Sequence, residues 1–377
     1  MKFIHVADLH VHPFREFSAN NGMDRLQDGL NAVEQACALA EQHQCVLVIG
    51  GDLKNHKDKW YDAVLNGYMD IFSRYLNHTI ILAGNHDGVK GQSSGLEVFR
   101  HVQNMALVTK PILSKDLLGE MALFYPWSPT WSDLDSYVQQ AKQAKAKIIF
   151  SHAFLEGAKI GSGDYQLKRG LPLAAFGLDI KDRVFDWGFF GDIHKQQRVR
   201  EFRANRKGKL VVEGEVWYAG SPYAQRKDET EQDKGALLVD LNAPKVVTPL
   251  VISAPRFQRI DLSEDTTLNV NTKLALWITK AKKQTTPEWR NDFVEITVPH
   301  KTDITLLEQL RAVVKPRMFY AHIKPPQKGA SVKRAELHAG MSSKELVRAY
   351  LKTKTTPEGV TVETLEKAGL MLMDNLQ

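Results

Sequence analysis

Short apolar runs alternate with stretches of helical spacing over the first two thirds of the chain. Phe3 to Ala7 predicts a short strand. From Met23 to His43, apolar side chains recur at Leu26, Leu30, Val33, Cys37 and Ala40, the spacing of one helical face. Val46 to Ile49 predicts a buried strand that ends in Gly50-Gly51, and Trp60 to Tyr75 a helix. Thr79 to Leu82, Lys147 to Phe150 and Trp187 to Phe190 repeat the strand pattern, and Gly235 to Leu241 predicts a last strand. Apolar strands separated by helices indicate an α/β domain whose sheets are covered on their faces. In such sheets a site lies outside the carboxyl ends of the strands. Here those ends carry Asp8, Asp52, Asn85, His152 and Asp192.

Beyond that domain the pattern changes. Phe257 to Leu262, Phe293 to Val298 and Met318 to Ile323 predict strands, with helices at Leu268 to Lys283 and Ile304 to Val314 between them. The expected organisation is a first α/β domain over 1–253 and a small second α/β domain over 254–326. Residues 327–377 are expected to hold a linker and C-terminal helices. Pro325 to Gly329 reads as the linker. Ser342-Ser343-Lys344-Glu345 has the spacing of a capping box opening a helix with Leu346, Val347, Tyr350 and Leu351 on one side. A second short helix is expected after Thr361, with Val362, Leu365, Ala368 and Leu372 on one face.

Composition narrows the class without naming a function. The 377 residues are 43% hydrophobic and 25% charged, an ordinary globular balance. No apolar run is long enough for a membrane span, and a charged residue interrupts the N-terminus before any signal-like stretch. The two cysteines, Cys37 and Cys45, sit in apolar surroundings and read as inert, so a reducing compartment, the cytoplasm, is expected. A net charge of +6 permits a polyanionic partner without requiring one.

The chemistry lies at the strand ends. Asp8-Leu9-His10 sets a carboxylate and an imidazole on one side of an extended segment, a pair suited to a divalent metal of intermediate hardness. Taken alone, a D-x-H of this kind is weak, and Gly50-Gly51-Asp52 alone reads rather as a turn whose Asp caps the next helix. Gly84-Asn85-His86-Asp87 is more specific, with a neutral oxygen ligand beside an imidazole free to act on substrate. Ser151-His152 and Gly191-Asp192-Ile193-His194 complete the set. His12 follows in register with His10, but Pro13 breaks the extension, so it reads as a neighbour of the site rather than a ligand.

The joint pattern D-x-H, G-D, G-N-H-D, S-H and G-D-x-H resembles that of the calcineurin-like metallophosphoesterases over roughly the first 250 residues. Tyr218-Ala219-Gly220-Ser221-Pro222 is similar to a segment of the SbcD-type DNA-repair nucleases within that superfamily, and the 254–326 segment resembles their capping domain. Leu53-Lys54-Asn55-His56 stands where the Ser/Thr protein phosphatases carry D-R-G, which argues against that branch. The resemblance implies a β-sandwich flanked by helices and a two-metal site. One ion would be held by Asp8, His10, Asp52 and His194. The second would be held by Asp52, Asn85, His152 and Asp192, with Asp52 bridging and a hydroxide between the ions attacking phosphorus. His86 would act beside the scissile phosphate, with Asp87 orienting it or a neighbouring loop. The family places a histidine where this chain has Asp192. That change favours harder ions, so two divalent ions are expected, Mn²⁺ first and Mg²⁺ as the other candidate.

Arg198, Arg200, Arg203, Arg206, Lys207 and Lys209 follow His194 closely, with Glu201 as the one acid among them. They read as a basic hairpin turning near Asn205 to Gly208, suited to a phosphate backbone. The resemblance implies DNA as substrate, an SbcC-like ATPase as partner through the C-terminal helices, and a homodimer. The expected activity is a 3′-to-5′ exonuclease, with single-strand endonuclease activity as a further option. The rival readings are a phosphodiesterase for small nucleotides and a DNA-end-binding scaffold of low activity.

Overall fold

A computed structural model describes residues 1–18, 20–88, 95–161, 170–179, 182–204, 210–230, 232–242, 246–283, 285, 292–314 and 319–323, with backbone alone for 200–204, 210–214, 319–320 and 321–323. Two compact units emerge, Met1–Lys324 and Pro325–Gln377. The second lies outside the described residues, and with it the expected linker, capping box and C-terminal helices.

The first unit runs β1 (Lys2–Val6), α1 (Met23–Gln42), β2 (Val46–Ile49), α2 (Asp62–Arg74), β3 (Thr79–Leu82), β4 (Met105–Val108), β5 (Ile112–Ser114) and β6 (Ala122–Tyr125). It continues with α3 (Leu134–Gln143), β7 (Ile148–His152), β8 (Trp187–Gly191), β9 (Gln197–Ala204), β10 (Leu210–Tyr218), β11 (Gly235–Asp240) and β12 (Val246–Val251). The last elements are β13 (Phe257–Asp261), α4 (Thr267–Lys282), β14 (Phe293–Val298), α5 (Ile304–Val313) and β15 (Phe319–Ile323). Two six-stranded sheets form, ordered β12-β11-β1-β2-β3-β4 and β5-β6-β7-β8-β10-β9. In each, four central or adjoining strands are parallel and the added strands are antiparallel.

The sheets pack face to face through Phe3, Val48, Ile80 and Leu237 of the first and Phe124, Phe150 and Phe189 of the second, all buried. Phe3 meets Phe150 and Phe189 edge-on at 5.4 and 5.1 Å, the arrangement aromatic quadrupoles prefer. The outer face of the first sheet is covered by α1 and α2, and that of the second by α3. On α1 the buried residues are Leu26, Ala32, Val33, Ala36, Cys37 and Ala40 of the apolar stripe, with Arg25 and Gly29 beside them, while Leu30 is half-buried at the stripe's edge. The result is a mixed α/β sandwich flanked by helices, the α/β class the pattern predicted and the sandwich the resemblance implied. Because β1, β2 and β3 run parallel, as do β7 and β8, their carboxyl ends gather at one rim.

A third, parallel sheet, β13-β14-β15, carries α4 and α5 and its own core of Val270, Leu274, Ile278, Phe293, Ile296 and Leu310. Arg25 of α1 is buried beneath it. Its guanidinium lies 4.3 Å from the Phe293 ring and donates to the Ala224 carbonyl at 3.0 Å.

Candidate metal centre

The backbone at the rim is unusual before any ligand is considered. Asp8 (φ 55°), His10 (φ 40°), Asp52 (φ 59°) and Asp192 (φ 88°) all lie in the left-handed region that residues with a Cβ normally avoid. Such conformations persist where surrounding bonds over-determine them. Here the amide of Asp8 donates to the Gly51 carbonyl (3.0 Å), that of His10 to the Asp52 carbonyl (2.9 Å), and that of Asp192 to Asp8 Oδ1 (2.9 Å). The loops also approach too closely for side chains. A Cβ on Gly84 would stand 2.2 Å from Asp52 Oδ1, and one on Gly51, itself at φ 105°, 2.3 Å from His152 Nδ1.

Three imidazoles are held from behind by backbone. Nδ1 of His10 donates to the Lys54 carbonyl (3.0 Å), that of His152 to Gly50 (2.7 Å) and that of His86 to Asn55 (2.7 Å). A carbonyl only accepts, so each Nδ1 carries its proton and Nε2 is the free nitrogen. His10 and His152 turn Nε2 towards one atom, Asp52 Oδ2, at 3.2 and 3.5 Å. His152 Nε2 also lies 3.8 Å from Asp192 Oδ1. Asp52 Oδ1 accepts from the His86 amide at 2.8 Å, which leaves Oδ2 facing the site. The fourth imidazole, His194, donates from Nδ1 to a carboxylate, Glu229 Oε1, at 2.8 Å.

Buried atoms without partners mark what the cluster requires. Asp8 Oδ2, Asn85 Oδ1 and His152 Nε2 are buried with no hydrogen-bond partner, a costly condition in the absence of a bound species. Three overlapping groups, Asp8-His10-His194, His10-Asp52-His86 and Asp8-Asp52-His152, each hold their ligand atoms within 4.8 Å of one another. Electrostatics agrees. Burial opposes protonation of His10 and His152, yet Asp52 and Asp8 outweigh it and raise both, His152 strongly. Burial likewise raises the Asp192 carboxyl, with Asp8 and Asp52 adding to the rise against the opposing His152. Asp52, despite burial, is held well below the usual carboxylate range by His152 and His10. A rim crowded with carboxylates that pulls protons onto its histidines is short of positive charge. The mixed oxygen and nitrogen donors suit divalent ions.

The family model for calcineurin-like phosphoesterases matches residues 1–196, just over half the chain, and covers every strand-end residue described above. The chain belongs to the calcineurin-like phosphoesterases. They are metal-dependent hydrolases of phosphoester bonds, and this chain is one. No curated protein matches the chain as a relative. The donors fit the divalent ions the family binds, since the orphaned atoms come from residues 8, 85 and 152 of the matched segment.

The structure brings together Asp8, His10, Asp52, His86, His152, Asp192 and His194, and Asn85, whose Oδ1 is buried without a partner, precedes His86 on the same loop. Asp87 faces away from the imidazole beside it. Its carboxylate is fully buried and accepts amides from Asp52 (2.7 Å), Gly84 (2.9 Å) and Lys54 (3.1 Å). Burial, with the Asp52 charge, pushes it up to about 6. It ties the second and third loops together. His12 packs against His56 and Tyr61 at 4.7 and 4.9 Å, beside the metal cluster rather than in it.

The basic hairpin forms as β9 and β10, the edge of the second sheet, with Arg200 and Arg203 on β9. Arg198 is paired with Glu215 and lies over Trp217. Arg206, Lys207 and Lys209 lie outside the described residues.

The segment from the end of β10 onward, beyond the family match, holds three of the loops. Tyr218 Oη donates to the Ala153 carbonyl (2.7 Å) and accepts the Leu155 amide (2.9 Å), fixing the turn after His152. Gln225 Nε2 donates to the Asp8 carbonyl at 2.7 Å. The Ser221 amide donates to the His194 carbonyl at 3.1 Å. Glu229 and Lys234 had no signal of their own in the sequence, because Lys227 to Lys234 reads as a solvated charged run. Burial opposes ionisation of Glu229, but Lys234 and His194 outweigh it and hold its carboxyl down at about 2. Burial costs Lys234 more than Glu229 returns, so its ammonium is held below the usual lysine range.

Proposed function

We propose that this phosphoesterase is a two-metal DNA nuclease of the SbcD type, a 3′-to-5′ exonuclease with single-strand endonuclease activity, dependent on Mn²⁺. Asp8, His10, Asp52 and His194 would hold one ion. Asp52, Asn85, His152 and Asp192 would hold the other, with Asp52 shared. The supporting observation is that the Nε2 atoms of His10 and His152 converge on the single atom Asp52 Oδ2. Bound there, the ions would stabilise negative charge developing on the phosphoryl oxygens.

The protein's own residues do the rest. His86 keeps its Nδ1 proton on the Asn55 carbonyl, so Nε2 is the atom that delivers a proton to the leaving oxygen. Burial lowers the pKa of this ring below the usual histidine range. Asp87 acts through the loops it ties and not on the substrate. For DNA, the support is placement. The hairpin starts at Gln197, close after His194, and ends at Tyr218, close before Ser221, which bonds the His194 carbonyl. A duplex or strand on this hairpin would therefore present its backbone to the rim. Arg198, balanced by Glu215, would contribute less than the other basic residues. The partners proposed with this reading are an SbcC-like ATPase and a second copy of the chain.

The test is digestion of end-labelled linear DNA by the purified full chain with Mn²⁺, beside His86→Ala. Shortening from the 3′ end that disappears in the variant is expected. Hydrolysis of bis(p-nitrophenyl) phosphate without DNA digestion would overturn the nuclease reading in favour of a small-nucleotide phosphodiesterase. DNA binding with no metal-dependent turnover of either substrate would establish the scaffold.

A further inference from the structure

His194 differs from the other three imidazoles of the rim in what holds it. His10, His86 and His152 rest Nδ1 on backbone carbonyls, whereas His194 rests on Glu229. Its side chain is also more open than those of the two buried histidines proposed as ligands, 21% exposed against 6% for His10 and none for His152. Packing therefore does less to aim it. We propose that Glu229 is a positioning residue for His194, with Lys234 as its fixed counter-ion, and that the pair sets how tightly the His194 side of the site binds its ion. The inference rests on His194 being a metal ligand.

The geometry leaves Glu229 little else to do. It is almost fully buried, and both carboxylate oxygens are engaged. Oε1 takes the His194 Nδ1 proton. Oε2 takes the Lys234 ammonium (2.7 Å) and the Gln225 amide (3.0 Å). It cannot swing into the site to ligate without abandoning three bonds. Lys234 in turn donates to Ser221 Oγ (2.7 Å) and to the carbonyl of His194 itself (3.0 Å). Ring and main chain of one residue are thus gripped from the same pair. A carboxylate behind an imidazole fixes its tautomer and orientation, as a carbonyl does, and also raises the basicity of the far nitrogen. Lys234 keeps that carboxylate ionised and stationary in a buried setting where it would otherwise be costly. The competing explanation is a buried ion pair that only stabilises the 221–234 segment. It predicts an effect on stability but none specific to metal affinity once the pair is neutralised.

Four full-length proteins separate these cases: wild type, His194→Ala, Glu229→Gln and Glu229→Gln with Lys234→Met. Mn²⁺ affinity is measured by titration calorimetry, and melting temperature in chelator. Glu229→Gln is expected to bind Mn²⁺ about 10–100-fold more weakly, the usual range for losing such a partner. It should also melt earlier, because Lys234 is left as an unpaired buried charge. The double variant should recover the melting temperature but not the affinity. It also serves as the test protein if the single variant does not fold. Affinity restored in the double variant would overturn the proposal in favour of a structural ion pair. So would unchanged affinity in Glu229→Gln beside a loss in His194→Ala. Unchanged affinity in His194→Ala would instead show that His194 is not a ligand.

Discussion

Replacing Asp87 by Asn keeps the shape of the side chain and removes one acceptor. In the wild type, Oδ2 takes the amides of Asp52 and Gly84 and Oδ1 takes that of Lys54. The best orientation of an asparagine keeps the first two and sets its NH₂ against the Lys54 amide. Two buried donors then face each other. An unsatisfied buried donor costs about 1–3 kcal/mol, so roughly 2–4 kcal/mol of stability should be lost at pH 8. Asp87→Ala leaves all three amides without this acceptor and should cost more. The loosened residues include Asp52, which sits at φ 59°, so Mn²⁺ binding should weaken with stability. The penalty depends on pH with a definite sign. The native carboxyl is pushed up to about 6, above the roughly 4 of an unfolded aspartate, so the folded wild type takes up its proton first and gains stability as pH falls; asparagine does not titrate, and the gap between the two proteins should widen at pH 5. Urea denaturation in chelator at pH 8 and pH 5, with calorimetric Mn²⁺ titration at pH 8, measures both quantities. Asp87→Asn that loses turnover with unchanged stability and metal affinity would refute the reasoning and place Asp87 in the chemistry.

Gly84→Ala should abolish Mn²⁺ binding, because its Cβ would stand 2.2 Å from Asp52 Oδ1 and 2.5 Å from the Asp52 amide. Overpacking of this kind costs about 1–3 kcal/mol, so the variant should still fold, as thermal melting in chelator would show. Metal binding should release protons at pH 7, because His10 and His152 are raised in the ion-free site and must deprotonate at Nε2 to ligate. Calorimetric titrations in buffers of different ionisation enthalpy read the number released, and His152→Ala should reduce it.

Much of the site was legible because strand ends in a parallel sheet are a local property. An apolar run followed by Gly-Asp or Gly-Asn-His marks where a strand leaves the core, and Asp8, Asp52, Asn85, His152 and Asp192 lie at those points. The helical stripe of α1 and the hairpin after His194 were also local patterns. The short strands β4, β5 and β6, of three or four residues, carry too little pattern to separate from loops.

The sequence by itself determined the class of the fold and the donors available at its rim. Only the tertiary structure decided what each donor does, because the deciding bonds join residues far apart in the chain. Asp192 donates to Asp8 across 184 positions, and Gln225 to the Asp8 carbonyl across 217. The same distance separates the roles of neighbours: His86 faces the site while Asp87 turns back to hold two loops. Glu229 and Lys234 look like solvated charges in the chain, and become a buried pair behind His194 only when the segment after β10 folds over the rim. Periodicity and spacing report how a residue sits on its own element. Burial, charge partners and left-handed backbone depend on which other elements arrive beside it.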